Sequence, residues 1–256
     1  MSPLRSSLRP WGAALAALLS LAACGDEEEG PTTPPVDAGT NMPGADSGTD
    51  AGTDAGTDGG TPRPSDPYAD EVVAFTPGDG AGFGQDRFPG VVLGPPSGVG
   101  PDNGSLDVLS LGREGSITLR FTDVGVVDGP GVDLLVFENA FAQPGGRTFS
   151  ETGRVAVSED GTTWRDFPCA AQDADAGYPG CAGVRTVQAN PANGVSATDP
   201  AVAGGDGFDL ATVGLSRARY IRITDSGANG YGGTSGGFDL DAVAVVNGEP
   251  LPGASP

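Results

Sequence analysis

Apolar side chains at every second position, in short runs cut by glycine, proline, asparagine and aspartate, limit what this chain can become. SITLRFTD (116–123) sets Ile117, Leu119 and Phe121 on one side of an extended backbone and Ser116, Thr118 and Arg120 on the other. RYIRITD (219–225) repeats the pattern, with Ile221 and Ile223 inward and Tyr220, Arg222 and Thr224 opposite. GVDLLVFEN (131–139) is apolar on both sides and reads as a central strand covered on both faces. GRVAVSEDGTTWRDF (153–167) reads as a hairpin, with Asp160-Gly161 supplying the turn. No stretch sustains a helical period. The expected fold is all-β, a β-sandwich or jelly roll.

The chemistry open to such a domain is narrow. The chain has no histidine, and its 13 basic residues are all arginine. Serine triads, histidine-bound zinc and lysine Schiff bases are excluded in their usual forms. A net charge of −21 argues against nucleic acid and against a basic patch on anionic lipid. It suits an exported domain or one that takes up divalent cations.

The start, MSPLRSSLRPWGAALAALLSLAAC (1–24), has Arg5 and Arg9 before an apolar run too short to cross a bilayer core of about 30 Å. Its end, Leu21-Ala22-Ala23-Cys24, resembles the lipobox of bacterial lipoproteins. That resemblance implies cleavage before Cys24 and lipidation of its thiol, so residues 1–23 are a signal peptide. With Gly25 rather than Asp after the cysteine, it implies the outer membrane as the address. Lipidation of Cys24 leaves Cys169 and Cys181, which would close a short loop as a disulfide in an oxidising compartment.

Residues 24–67 hold almost no large apolar side chain and repeat Gly-Thr-Asp-Ala with period four. They cannot bury enough surface to order themselves and read as a disordered, acidic tether rather than a calcium-binding repeat. Residues 68–250 are the β-domain, and 251–256 a disordered tail.

VAVSEDGTTWRDF (155–167), followed by ARYIRI (218–223), resembles the discoidin-like, or galactose-binding-like, β-sandwiches. The matched positions include Val157, Ser158, Asp160, Gly161 and Trp164, then Tyr220 and Arg222. An Asp-box of the sialidase kind needs one more residue between Asp and Gly, and normally repeats. The domain is also similar to bacterial cell-surface lipoproteins that have no assigned activity. The resemblance implies a core position for Trp164, a structural calcium near the ligand-binding end, and a role as a sugar binder, a lipid binder or a plain structural module.

The tetrapeptide Gly-Phe-Asp-Leu occurs at 207–210 and again at 237–240. The first copy leads into Ala-Thr-Val-Gly, a helical turn that Asp209 can cap and Gly214 can end. The second continues as a strand, with Phe238, Leu240, Ala242 and Ala244 on one face and Asp239, Asp241, Val243 and Val245 on the other. The two are not a repeat. Asp241 then needs a partner, either Arg219, Arg222, a turn amide or calcium. Glu138, Asp239 and Asp241 are the expected calcium ligands, since Asp133 lies at the far end of the central strand. In the glycine-rich segment 225–237, Asn229 and Tyr231 are the expected ligand-binding residues at a loop tip.

The leading expectation is a lipid-anchored, non-catalytic surface module that binds a glycan or an envelope protein. A glycosidase needs two carboxylates about 5–9.5 Å apart. Only Glu138 among the domain's glutamates lies in a segment expected to be buried, so no pair is nominated. A purely structural envelope protein is the third reading.

Overall fold

The computed structural model describes residues 65–228 and 233–252. The signal peptide, Cys24, nearly all of the tether, Asn229 and Tyr231 lie outside the described residues. The domain is engaged slightly before the expected boundary at Tyr68. The Asp66 N–H donates to the Asp123 carboxylate at 2.9 Å, and the Val245 N–H donates to the Pro67 carbonyl at 2.7 Å.

The fold is all-β and every ladder is antiparallel. The largest sheet contains β1 (Glu71–Thr76), β3 (Ser116–Arg120), β12 (Tyr220–Asp225), β8 (Gly153–Ser158) and β9 (Arg165–Asp166), in the order β1-β3-β12-β8-β9. A second sheet sets β5 (Leu134–Phe137) between β10 (Asp206–Phe208) and β14 (Ala242–Val245). A third sets β4 (Val124–Val127) between β11 (Arg217–Ala218) and β15 (Gly248–Pro250). Two ribbons pair β2 (Leu109–Ser110) with β13 (Asp239–Leu240), and β6 (Phe141–Gln143) with β7 (Arg147–Phe149).

Register explains the core. Ile221 stands opposite Leu119 and Val157, and Ile223 opposite Ile117 and Val155. All six share one face of the large sheet and meet Leu134, Val136, Val243 and Val245 of the second sheet in one buried cluster. Each such side chain stabilises the fold by roughly 1.5–3 kcal/mol. The other face of β5 is buried too: Leu135 and Phe137, with Ala242 and Ala244, lie under Val187, Ala189, Ala197 and Ala203. This second cover is why the central strand is apolar on both sides.

The hairpin and the first Gly-Phe-Asp-Leu copy form where the sequence places them. Asp160 accepts from the Thr162 and Thr163 amides at 2.7 Å, and Gly161 takes a left-handed φ of 75°. The turn is wider than two residues, however, because the loop runs from Glu159 to Trp164 between β8 and β9. Asp209 caps the 3-10 turn Leu210–Val213 by accepting from the Ala211 amide, and Gly214 closes it at φ 68°.

Two expectations fail. Trp164 is not in the core; it is half-buried on the outer face of the sheet, with the Arg222 guanidinium 4.1 Å from its ring centroid. The strand phase assigned to the second Gly-Phe-Asp-Leu copy also breaks. Phe238 and Leu240 share the main core with Val243 and Val245, so the alternation resets at Asp241, between β13 and β14.

Candidate metal centre

Three buried carboxylates converge beside the end of β5. Glu138 continues the inward alternation Leu134, Val136, Glu138 past the strand's last residue. Glu151 continues that of β8 backwards, through Val157, Val155 and Gly153. Gly153 is small of necessity, since a Cβ there would stand 2.6 Å from the Phe238 ring. Asp239 comes from β13, paired with β2. One carboxylate oxygen from each of Glu138, Glu151 and Asp239 lies within 4.8 Å of the others, and the three residues are 1%, 2% and 5% exposed.

Their hydrogen bonding is uneven. Asp239 accepts from the Ser110 hydroxyl and from the Asn139 amide nitrogen at 3.3 Å. A Gly237 backbone N–H serves Glu151. Neither oxygen of Glu138 has a partner, and the Asn139 Oδ1 is likewise unsatisfied. The Asn139 amide favours the Glu138 carboxylate electrostatically but does not reach hydrogen-bonding geometry. The charged groups acting on Glu138 are Asp239, Glu151 and Asp206, all acidic.

Burial raises every member, reinforced by neighbouring acids: those above for Glu138, Asp239 and Asp225 for Glu151, and Asp225 for Asp239. Glu138 is held well above the usual carboxylate range, Glu151 is pushed up to about 8 and Asp239 to about 6. Uncompensated, such a group must keep protons or take up a cation.

The other buried acids show what compensation looks like here. Asp225 accepts from the Glu114, Gly227 and Phe238 amides, each at 2.9 Å. Asp133 accepts from the Gly129 and Leu210 amides and from the Asn247 side chain. Asp133 also groups with Asp128 and Asp209, but its own oxygens are satisfied and Asp209 is a cap. Asp206 accepts from Gly183 and Val184 at 2.8 and 2.9 Å. These are amide cages. Glu138 has none.

Of the expected ligands, the structure brings Glu138 and Asp239 together and leaves Asp241 out. Asp241 sits where the strand phase resets, and its carboxylate turns to the Ser97 amide, at 3.1 Å from both oxygens. Burial, with Asp107 nearby, pushes it up to about 7. Its partner is therefore the turn amide, not Arg219 or Arg222. The third member is Glu151, which sequence reasoning passed over because it stands outside the apparent strand. The signal that finds it is the period-two register of β8 carried two residues beyond Gly153. That burial also corrects the expectation that Glu138 alone among the glutamates is enclosed.

The set fits a hard cation. Calcium takes six to eight oxygens and tolerates irregular geometry. Three carboxylates with Asn139 beside them supply oxygen donors, and Glu138 supplies two that nothing else uses. The members of the set are enclosed, whereas a hydrolytic carboxylate pair must meet its substrate in a cleft.

The remaining expected pair is formed. Cys169 and Cys181 are joined by a disulfide across a sequence separation of 12. It closes a loop beside β8, where the Gly153 and Ala182 backbones exchange hydrogen bonds at 3.0 Å.

Comparison with protein-family models finds no match to this chain, and comparison with curated proteins finds none.

Proposed function

We propose that this chain is a lipid-anchored bacterial cell-surface protein whose β-sandwich is a non-catalytic binding module for a glycan or envelope protein, stiffened by one calcium ion. The observation carrying the calcium assignment is the pair of unpartnered oxygens on Glu138, whose charged neighbours are all carboxylates. When bound, calcium supplies a positive charge among Glu138, Glu151 and Asp239. It would hold the end of β5, the approach to β8 and β13 in one arrangement. The lipid anchor, at Cys24, and the outer-membrane address rest on the lipobox-like start of the chain. The non-catalytic reading rests on the enclosure of the acidic group and the absence of histidine and lysine.

Calcium titration calorimetry on the purified chain, with melting curves in chelator and in millimolar calcium, tests the assignment. One ion binds, the melting temperature rises by several degrees, and Glu138→Gln abolishes both effects. An Asp241→Ala variant keeps the calcium response. A chain that melts identically in both solutions has no such centre, and release of product from a polysaccharide would make it an enzyme.

A further inference from the structure

A groove of about 460 Å³ runs between β7 and the disulfide-closed loop, within the range of roughly 300–1,000 Å³ typical of small-ligand sites. Arg147, Thr148 and Ser150 line it from the β7 side, Asp175 and Tyr178 from the loop, and Val184 adds an apolar patch.

Two observations distinguish it from ordinary surface relief. The first is strain. Tyr178 has a φ of 54°, in the left-handed region, where the only other non-glycine residue found among the described residues is Glu114. Such a conformation costs free energy and persists only where the surroundings enforce it, often at ligand sites. The loop enforces it here. The Tyr178 N–H donates to the Asp173 carbonyl at 2.9 Å, the Cys181 N–H donates to the Tyr178 carbonyl at 3.1 Å, and the disulfide closes the ends. Residues 172–177 are all exposed, so this bracing does little for the core. It presents a half-buried aromatic ring in a fixed place.

The second is unused polarity. Arg147 and Asp175 form neither an ion pair nor a side-chain hydrogen bond among the described residues; the ion pairs there are Arg87–Asp107, Arg120–Glu71 and Arg217–Glu249. A donor fork and an acceptor thus line one groove without engaging each other.

We infer that the groove binds a neutral saccharide, an inference that rests on the non-catalytic binding module proposed above. A pyranose offers an apolar C–H face to the Tyr178 ring and vicinal hydroxyls that both donate and accept. Arg147 donates to them and Asp175 accepts from them. An anionic ligand fits less well, because Asp175 and a net charge of −21 oppose it. The groove is also joined to the metal centre, since Ser150 lines one and Glu151, the next residue, belongs to the other. An ion on Glu151 therefore fixes a groove wall.

The test uses the full chain in detergent, in calcium, on an array of neutral glucan, galactan and mannan oligosaccharides. Binding is expected, and Tyr178→Ala and Arg147→Ala each weaken it at least tenfold with calcium uptake unchanged. Tyr178→Gly separates function from folding: it relieves the left-handed strain, so the melting temperature is maintained or raised while binding is lost. Saccharide binding that these variants leave intact moves the site elsewhere and spares the binding module. Calcium uptake with no saccharide bound overturns the groove assignment alone. Hydrolysis of the arrayed sugars overturns both readings.

Discussion

Asp225 and Glu138 are equally buried, at 1% exposure each, yet only one of them has its charge answered. Three backbone amides converge on Asp225, and hydrogen bonds to a charged acceptor each contribute roughly 1.5–3 kcal/mol. Glu138 has no such donor, so without a cation its group folds with protons bound. The sign of the pH effect follows. Glu151 rises from 4.5 to about 8 and Asp239 from 3.8 to about 6. Their stabilising contribution is fully present below the unfolded values, near pH 4, and is lost as pH climbs through about 6 to 8. In chelator, the melting temperature should fall between pH 5 and pH 9. In millimolar calcium that decline should flatten, because the ion takes the place of the protons and expels them. Calorimetry across this range checks both slopes. Superimposable curves with and without calcium would mean that the carboxylates share protons and nothing more.

At the scale of elements, the disulfide loop behaves as a braced attachment to the sandwich. Of its interior residues only Ala171 is buried, with Cys181 at its end, so its removal should weaken the domain without dissolving it. Closing a loop of this size contributes on the order of 3 kcal/mol in the chain-entropy model. For a domain of this length, 1 kcal/mol corresponds to about 2–4 °C. The Cys169→Ala, Cys181→Ala double variant should melt roughly 6–12 °C lower, still cooperatively, and should lose saccharide binding before it unfolds. Circular dichroism against temperature, read beside array binding at 25 °C, separates the two effects. Strands whose pattern is complete within their own residues, such as β3, β5 and β12, were legible from sequence. So was the capped turn after Asp209, whose signals are local. Asp241 was misplaced because a reset between β13 and β14 leaves no mark on the alternation of their side chains. Glu151 was missed because its burial depends on a register that outlasts β8. Trp164 was misjudged because the outer face of β12 offers it Arg222, a partner remote in sequence.

For the whole molecule, the direction of the strands relates the point where the chain enters the domain to the carboxylates. The chain enters the sandwich at Pro67, whose carbonyl receives the Val245 amide, and Val245 pairs with Leu134 at the first residue of β5. Glu138 follows the last residue of the same strand, roughly 13–14 Å away at 3.3–3.4 Å per residue. The Leu251 amide donates to the Asp123 carbonyl at 2.7 Å, and the Asp123 carboxylate accepts from Asp66. Both chain ends of the described domain are therefore gathered away from the carboxylates. This predicts that anchoring and binding are separable. Replacing Cys24 with Ser should abolish incorporation of a labelled fatty acid and move the protein out of the membrane pellet. Calcium uptake and saccharide binding per molecule should stay unchanged. Fractionation with metabolic lipid labelling, followed by array binding of the released chain, reads both halves. Membrane retention and labelling that survive Cys24→Ser would remove the lipoprotein assignment. Binding lost along with the anchor would mean that the membrane end takes part in recognition, against the geometry of entry at Pro67.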